Sequence, residues 1–371
     1  MWELFWYATF FLAFAVQILF WSLIFQKLAR YRPNNKEETS TRFPKVSVVV
    51  CVHNEAAHLP KLLDNLLNQD YPEYELILVN DASTDNSRDI ILDFQKKYPI
   101  LHLLEILSKT KPGKKEALTK GILAAQHEIL LLTDADCFPS TSLWIKTMVA
   151  TFPLQEGIVL GFAPYQSENS FLNKWIRFET IYTAMQYLSF ALAGYPYMGV
   201  GRNLAYSKSL FLQNNGFKGH THLASGDDDL FINKTANKHN VRININPKAF
   251  VFSYAMSNWK RYYNQKNRHL TTATSYQFRH QFLLGLLAWS HLWVFLGGIL
   301  LLLAYPTSLL IVCILFLVRM VIVGFYYWRI LKKLEQGDLW KWIPLLDFLY
   351  CVYYLIFVPA LINTGNRSTW T

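Results

Sequence analysis

Four stretches of this sequence are apolar enough, for long enough, to cross a bilayer, and they constrain the architecture more than any other feature. They cover residues 2–25, 282–304, 307–328 and 343–362, each close to the roughly 20 residues that a spanning helix needs. The first is interrupted only by Glu3, Thr9, Gln17 and Ser22. Its acidic, aromatic start argues for an uncleaved anchor rather than a signal peptide, whose start would be basic. Composition agrees: of 371 residues, 52% are hydrophobic and 16% aromatic but only 17% charged, which argues against a purely soluble protein.

Basic residues set the expected orientation. Lys27, Arg30, Arg32 and Lys36 follow the first run, and Arg329, Lys332, Lys333 and Lys341 fill the link before the last one, whereas Tyr305 and Pro306 join the second and third without charge. The positive-inside rule then puts the intervening domain in the cytosol, for a bacterial chain at the inner membrane. The formal charge of +10 fits anionic head groups or phosphorylated substrates; because the basic residues gather beside the apolar runs, lipid rather than nucleic acid is the expected partner. Arg319 falls inside the third run. It either pairs within the membrane, with Asp347 on the next run as candidate partner, or snorkels to the interface. Cys51, Cys137, Cys313 and Cys351 are scattered and suggest neither a disulfide framework nor a zinc cluster.

Between the first and second runs the pattern changes. After a polar linker at 33–41, VSVVVCV at 46–52 is a β-branched run of the kind buried on both faces of a sheet. Pro60 opens a helical pattern that places Leu59, Leu62, Leu63, Leu66 and Leu67 on one side. Strands at 75–79, 102–107 and 128–133 alternate with helices capped by Asp85 or Ser87 and starting at Lys114. This order predicts an α/β fold with a doubly wound, mostly parallel sheet. Residues 171–192 form an aromatic-rich helix with Trp175, Phe178, Ile181, Tyr182 and Met185 on one side, fitting either a membrane surface or an ordinary core. GYPYMGVGRNLAYSK at 194–208 reads as a loop entering a strand, and SGDDDLFINKTANK at 225–238 as a loop capping a helix.

The chemistry concentrates at strand ends. EILLLTDAD (128–136) closes a buried strand with Asp134 and Asp136, at the place where ligands bind in an open parallel sheet. Oxygen-only ligands suit Mg²⁺ or Mn²⁺, an ion that shares its coordination with substrate phosphates. Asp81 ends the second strand, positioned to accept hydrogen bonds from a base or ribose. Asn54 and Glu55 follow the first strand, and Lys114 stands at a helix start suited to a phosphate. An Asp after a strand is usually only a turn residue, so the convergence counts for more than any single motif. Competing motifs fail on spacing: His53 and His58 are five apart, Lys114 lacks the upstream glycine of a Walker loop, no GxGxxG follows the first strand, and no GxSxG is present. His220 and His222 read as loop histidines.

Taken in order, these motifs resemble those of membrane-embedded family-2 glycosyltransferases of the GT-A fold. VSVVVCVHNE resembles the opening strand and loop, NDASTD the acidic motif whose aspartate reads the base (Asp81), GKKEAL the GKxxAL segment, and TDAD the metal-holding DxD. GRNLAYSK resembles the acceptor-side segment, SGDDDLF the TED or GDD motif bearing the catalytic base, and QKNRH (265–269) the QxxRW motif. The resemblance covers residues 46 to about 269 and implies an inverting transfer from a nucleotide sugar, most simply a UDP-sugar, to a lipid-linked, lipid or polysaccharide acceptor. It assigns the base to Asp228 or Asp227, donor contacts to Asn54, Glu55, Asp81, Lys114, Asp134, Asp136, Gln265 and Arg268, acceptor contacts to Gly201, Asn203 and His269, and a divalent cation to Asp134 and Asp136. His269 replaces the tryptophan of QxxRW, which weakens the case for processivity. A pair of carboxylates alone would also suit hydrolysis, but a hydrolase has no use for the nucleotide-facing residues. The rivals are a single-addition lipid transferase and, from another class, a non-catalytic membrane subunit. The expected organisation is an anchor at 1–26, a basic and polar linker at 27–45, a catalytic domain at 46–270, three spans within 282–362 and a tail at 363–371.

Overall fold

In the computed structural model, which describes residues 1–33, 43–109, 113–153, 156–221, 223 and 225–362, the β-branched run of 46–52 is an interior strand of a seven-stranded sheet. Most of the linker at 33–41, His222 and the tail at 363–371 lie outside the described residues. The chain opens with α1 (Trp2–Leu19), a π-helical segment (Phe20–Phe25) and α2 (Gln26–Arg30), which together make one continuous apolar rod. The sequence placed its end at Phe25; the helix runs on through Lys27 to Arg30.

Strict alternation then follows: β1 (Val46–Val52), α3 (Leu59–Leu67), β2 (Tyr74–Asp81), α4 (Ser87–Lys97), β3 (Leu101–Ile106), α5 (Lys115–Ala124) and β4 (Ile129–Asp134). The pairs β1–β2, β2–β3 and β1–β4 are parallel, in the order β3-β2-β1-β4. All three strands β1, β2 and β4 therefore discharge their C-terminal ends at one edge, with Cys51 beside Asp134 and Val52 beside Asn80. After β5 (Cys137–Pro139) and α6 (Trp144–Ala150) come β6 (Ile158–Gly161), α7 (Phe171–Leu192), β7 (Leu204–Ser207), α8 (Lys208–Gln213), α9 (Asp229–Thr235), β8 (Val241–Asn244) and β9 (Val251–Ser253). Here β7 runs antiparallel to β4 and β6, and β5 with β9 makes a separate two-stranded ribbon directly beyond Asp136. The sheet is thus mostly parallel, with β7 running against both of its neighbours and β6 paired in parallel with β8.

Period-2 side chains separate two cores. Val46, Val48, Val50 and Val52 pack with Leu76, Leu78, Leu131 and the buried Leu59, Leu62, Leu63 and Leu66 of α3; full burial of each such leucine contributes about 1.5–3 kcal/mol. Leu67 and, on α4, Ile90 and Phe94 are only partly buried, leaving Ile91 as the inward anchor. The opposite face, with Val49, Ile77, Val79, Leu130 and Leu132, packs on α5 and α7. α5 lies so close that a Cβ at Gly121 would stand 2.6 Å from Val49 Cγ1 and 2.9 Å from Val79 Cγ2, so glycine is required there.

α7 resolves the ambiguity of its sequence. Trp175, Phe178, Ile181, Tyr182 and Met185 are all buried, and so are residues on its other faces such as Ile176, Tyr187 and Leu188. It is a core helix wedged between the sheet and the membrane-side helices, in one apolar cluster that continues into Tyr327, Leu346 and Tyr350. Arg177 fastens it from the side, donating to both oxygens of Asp338 at 2.8 and 2.6 Å and to Gln336 Oε1 at 2.9 Å.

The chain ends with α10 (Trp259–Leu270), α11 (Phe278–Ala304), α12 (Leu309–Lys333) and α13 (Ile343–Ile362). Among the described residues, four helical stretches are long and apolar enough to span a membrane, one N-terminal and three C-terminal. Arg319 pairs with Asp347 at 2.6 Å and is 2% exposed, so the pairing expectation holds and snorkelling does not. Gln17 Oε1 accepts from Arg319 at 3.4 Å, Tyr327 donates to Asp347 at 3.3 Å, and Gln17 donates to Ser290 at 3.0 Å. One network thereby joins α1, α11, α12 and α13, and leaves neither charge alone.

Candidate active site

The strand ends and two later segments meet at a small cavity lined by Cys51, Lys114, Thr133, Asp134, Gly201, Asp227 and Asp228, with Val49, Leu118 and Leu132 behind them. Lys114, immediately before α5, is its hub. The ammonium lies 2.7 Å from Asp134 Oδ1 and 3.0 Å from Asp227 Oδ2. Burial opposes the charge, but Asp134, Asp227 and Asp228 outweigh it and hold Lys114 well above its usual pKa. The lysine expected to meet a phosphate is therefore paired with carboxylates.

Asp228 caps α9: its Oδ1 accepts from Asp229 N at 2.8 Å, and its Oδ2 from Gly201 N at 2.7 Å. A Cβ on Gly201 would stand 3.2 Å from Lys114 Nζ and 3.3 Å from Asp228 Oδ2, which explains a glycine at this wall. Burial, then the neighbouring charges of Asp227 and Asp229, raise Asp228 to about 7. Asp134 and Asp136 diverge. Lys114 holds Asp134 below the carboxylate range against the opposing effect of burial, while burial and the charge of Asp134 raise Asp136. Two carboxylates this close, one of them short of a cation, form a donor set that a divalent ion satisfies. Among the described residues no cluster of three or more His, Cys, Asp or Glu surrounds a metal position, so further ligands for an ion here must come from water or substrate.

Asp81 is 2% exposed and pairs with Lys109 at 2.7 Å; its Oδ1 is buried and has no hydrogen-bond partner among the described residues. The carbonyl of the same residue accepts from His53 Nδ1 at 2.6 Å, tying the first strand's loop to the second. Asn54, at φ 56°, uses its Oδ1 to accept from Thr84 N at 2.8 Å, so its side chain shapes the rim. Glu55 pairs with His58 at 2.7 Å, and burial raises its carboxyl, with Asp136 and Asp134 adding to the rise. From α10, Arg268 lies within electrostatic reach of Asp227 and Asp134, and Gln265 Oε1 is buried with no hydrogen-bond partner among the described residues. His269 is exposed at the end of the same helix.

Asn203 stands apart from this group. It is 1% exposed, donates to the carbonyls of Phe162 and Ala249 at 2.8 Å each, and accepts from Trp144 Nε1 at 3.1 Å. Its amide ties together three segments of the interior, leaving the acceptor-side assignment to its neighbours. Sequence reading passed over Arg202. Its guanidinium lies 4.4 Å over the Tyr165 ring, donates to Ser253 Oγ at 2.5 Å, and bears on both Asp134 and Asp136. The available signal was a cation directly beside Gly201 at the mouth of a buried strand.

Two family models match this chain: Glycosyl transferase family 2 over residues 47–212, and Glycosyl transferase family group 2 over residues 154–362, more than half of the chain. The chain belongs to glycosyltransferase family 2. Among curated relatives of this family, the probable glycosyltransferase YdaM of Bacillus subtilis is 26% identical over 259 residues, 66% of this chain and 57% of that protein. The poly-beta-1,6-N-acetyl-D-glucosamine synthase of Staphylococcus epidermidis is 36% identical over 92 residues, 24% of this chain and 21% of the synthase. The beta-monoglucosyldiacylglycerol synthase of Nostoc is 35% identical over 108 residues, 28% of this chain and 23% of that enzyme. The match to this chain therefore spans little more than half of the first relative and under a quarter of the other two. Among solved structures, the mannosyltransferase PcManGT of Pyrobaculum calidifontis superposes with a TM-score of 0.60 at 20% identity, covering 91% of this chain and 98% of its own. That likeness establishes the GT-A fold.

Proposed function

We propose that this chain is an inverting glycosyltransferase that moves a sugar from a nucleotide-diphosphate sugar, a UDP-sugar in the simplest case, to a membrane-associated acceptor in polysaccharide or glycolipid synthesis. The observation that carries it is the single cavity in which Lys114, Asp134, Gly201, Asp227 and Asp228 meet, at the strand ends where nucleotide ligands of α/β sheets bind.

Asp228 is the base. The acceptor hydroxyl attacks the anomeric carbon opposite the leaving diphosphate, and a carboxylate titrating near neutrality takes its proton as the new bond forms. Asp228 rises to about 7, whereas Asp227 is engaged by Lys114 at 3.0 Å. Asp134 and Asp136 would hold a divalent cation, Mg²⁺ or Mn²⁺, which supplies Lewis-acid stabilisation of the diphosphate. Lys114, Arg202 and Arg268 add fixed positive charge beside the same carboxylates, and such preorganised charge stabilises a leaving anion without reorganisation. The unpartnered Asp81 Oδ1 suits a donor hydrogen from the base, and Gln265 Oε1 a hydroxyl of the donor or acceptor. PcManGT was solved with GDP-Man and Mn²⁺, which fits this donor and metal class.

The basic residues Lys27, Arg30, Lys332 and Lys333 at helix ends favour a catalytic domain on the cytosolic face of a bacterial inner membrane. An acceptor in or near the lipid follows from α7, which carries the sheet directly onto the spanning helices. Membranes incubated with labelled donor test the product class: a ladder of lengths indicates a polymer, and one lipid-soluble band indicates a glycolipid. No incorporation from any nucleotide sugar, by protein shown to be folded, would defeat the proposal.

A further inference from the structure

The third acid of the run, Asp229, is absent from the chemistry above, yet it is the most heavily bonded of the three. It is 7% exposed. Its Oδ2 accepts from Tyr276 OH at 2.8 Å and from the Thr272 hydroxyl, and its Oδ1 accepts from Leu230 N at 2.8 Å. Thr272 and Tyr276 belong to the connector between α10, which carries Gln265 and Arg268, and α11, the first C-terminal span. One helical turn further along α9, Asn233 continues the seam: its Oδ1 accepts from Gln277 N at 2.9 Å, and its carbonyl accepts from Gln277 Nε2 at 2.6 Å. Residues at i and i+4 share a helix face, so one face of the helix that Asp228 caps is stitched to the connector.

We propose that Asp229 is a positioning residue of the transfer reaction, fastening the base-bearing end of α9 through Thr272 and Tyr276 to the connector that joins the Gln265–Arg268 helix to the membrane. This rests on Asp228 being the base. A carboxylate serves better than an amide here because it accepts from two hydroxyls and a backbone N–H at once and needs no donor in return. A second consequence is electrostatic. The charged and titratable groups that face Asp228 and Asp229 are Asp227 beside them, Lys114 and Lys115 at the start of α5, and the neutral phenols of Tyr197 and Tyr276. The charge of Asp229 adds to the rise of Asp228, after burial and Asp227, while Thr272 and Tyr276 counter the burial that raises Asp229 itself. Neutralising position 229 therefore lowers the pH at which Asp228 becomes an active base.

The test measures donor turnover against pH for purified full-length protein and for Asp229→Asn, Tyr276→Phe and Asp228→Asn, each checked for folding by thermal midpoint. Asp229→Asn should lower kcat about 10- to 100-fold, the scale of a small misplacement of a catalytic group, with donor KM nearly unchanged and the acid limb moved to lower pH. Tyr276→Phe keeps the ring and the Asp229 charge, so it should lower kcat by less and leave the acid limb nearly in place, which keeps the positioning test open if Asp229→Asn does not fold. Wild-type kcat and an unmoved acid limb in the folded variants, beside an inactive Asp228→Asn, would overturn the positioning role alone. Full turnover by Asp228→Asn would instead remove the base assignment beneath it.

Discussion

Two of the buried or half-buried ionic clusters among the described residues are built on opposite principles. In the spanning bundle Arg319 meets Asp347 one to one, with Gln17 and Tyr327 completing the shell and one backbone carbonyl of Asp347 accepting from His291 at 3.0 Å. In the crevice Asp134, Asp227 and Asp228 crowd around Lys114, with Asp136 acting on Asp134 and with Arg202 and Arg268 nearby, so carboxylates exceed the ammonium that touches them. The balanced cluster holds helices together; the unbalanced one keeps a group such as Asp228 poised near neutrality for want of compensation. Perturbed titration gathers where a site has work to do, and in the crevice Asp228 is the group raised toward neutrality.

The comparison can be broken most sharply at Asp228. Asp228→Asn should cut kcat by about 10²- to 10⁴-fold, the usual contribution of a general base. The same variant should be more resistant to unfolding at alkaline pH. Asp228 titrates near 7 in the folded chain and near 3.9 when unfolded; the folded state therefore binds more protons between these values, and stability falls as pH rises through that window. Thermal midpoints of both proteins at pH 5 and pH 8 check the sign: the gap should be present at pH 5 and distinctly wider at pH 8. Next in size, Arg319→Leu should cost roughly 3–5 kcal/mol by stranding Asp347, with much of it recovered in Arg319→Leu/Asp347→Leu; turnover per folded molecule should stay at the wild-type level. If both variants lost activity but not stability, the two clusters would not differ as described. Lys114→Met should raise donor KM by roughly tenfold, about the ~1.5 kcal/mol of one hydrogen bond to a charged group, read from diphosphate release at varied donor. The smallest effect belongs to Asp338→Ala. Asp338 is 54% exposed although Arg177 is buried, so the loss should stay within about 1 kcal/mol, below that of any change at Arg319.

Much of this was legible in the sequence because period and burial coincide. VSVVVCV could only be a strand covered on both faces, and the alternation after it fixed β1 to β4 and the edge where Asp81 and Asp134 emerge. Arg319 advertised its partner because an unpaired intramembrane charge is costly. α7 was harder: a helix buried on nearly every side has no polar stripe to reveal which neighbours cover it. Asn203 and Arg202 were harder to read for a related reason. Motif position pointed to the asparagine, yet its amide is consumed by Phe162, Ala249 and Trp144, and only three-dimensional packing shows the adjacent guanidinium beside the DxD pair. The run of three aspartates was opaque too, because capping, ion pairing and anchoring to a distant connector leave no trace in spacing.

The most direct test of the central claim is nucleoside diphosphate release by purified protein in lipid nanodiscs, supplied with a panel of nucleotide sugars and Mg²⁺ or Mn²⁺. The structure predicts cation-dependent release from one or a few donors, abolished in folded Asp228→Asn. Release that is equal in wild type and in Asp228→Asn, or none from any donor by folded wild type, would contradict it.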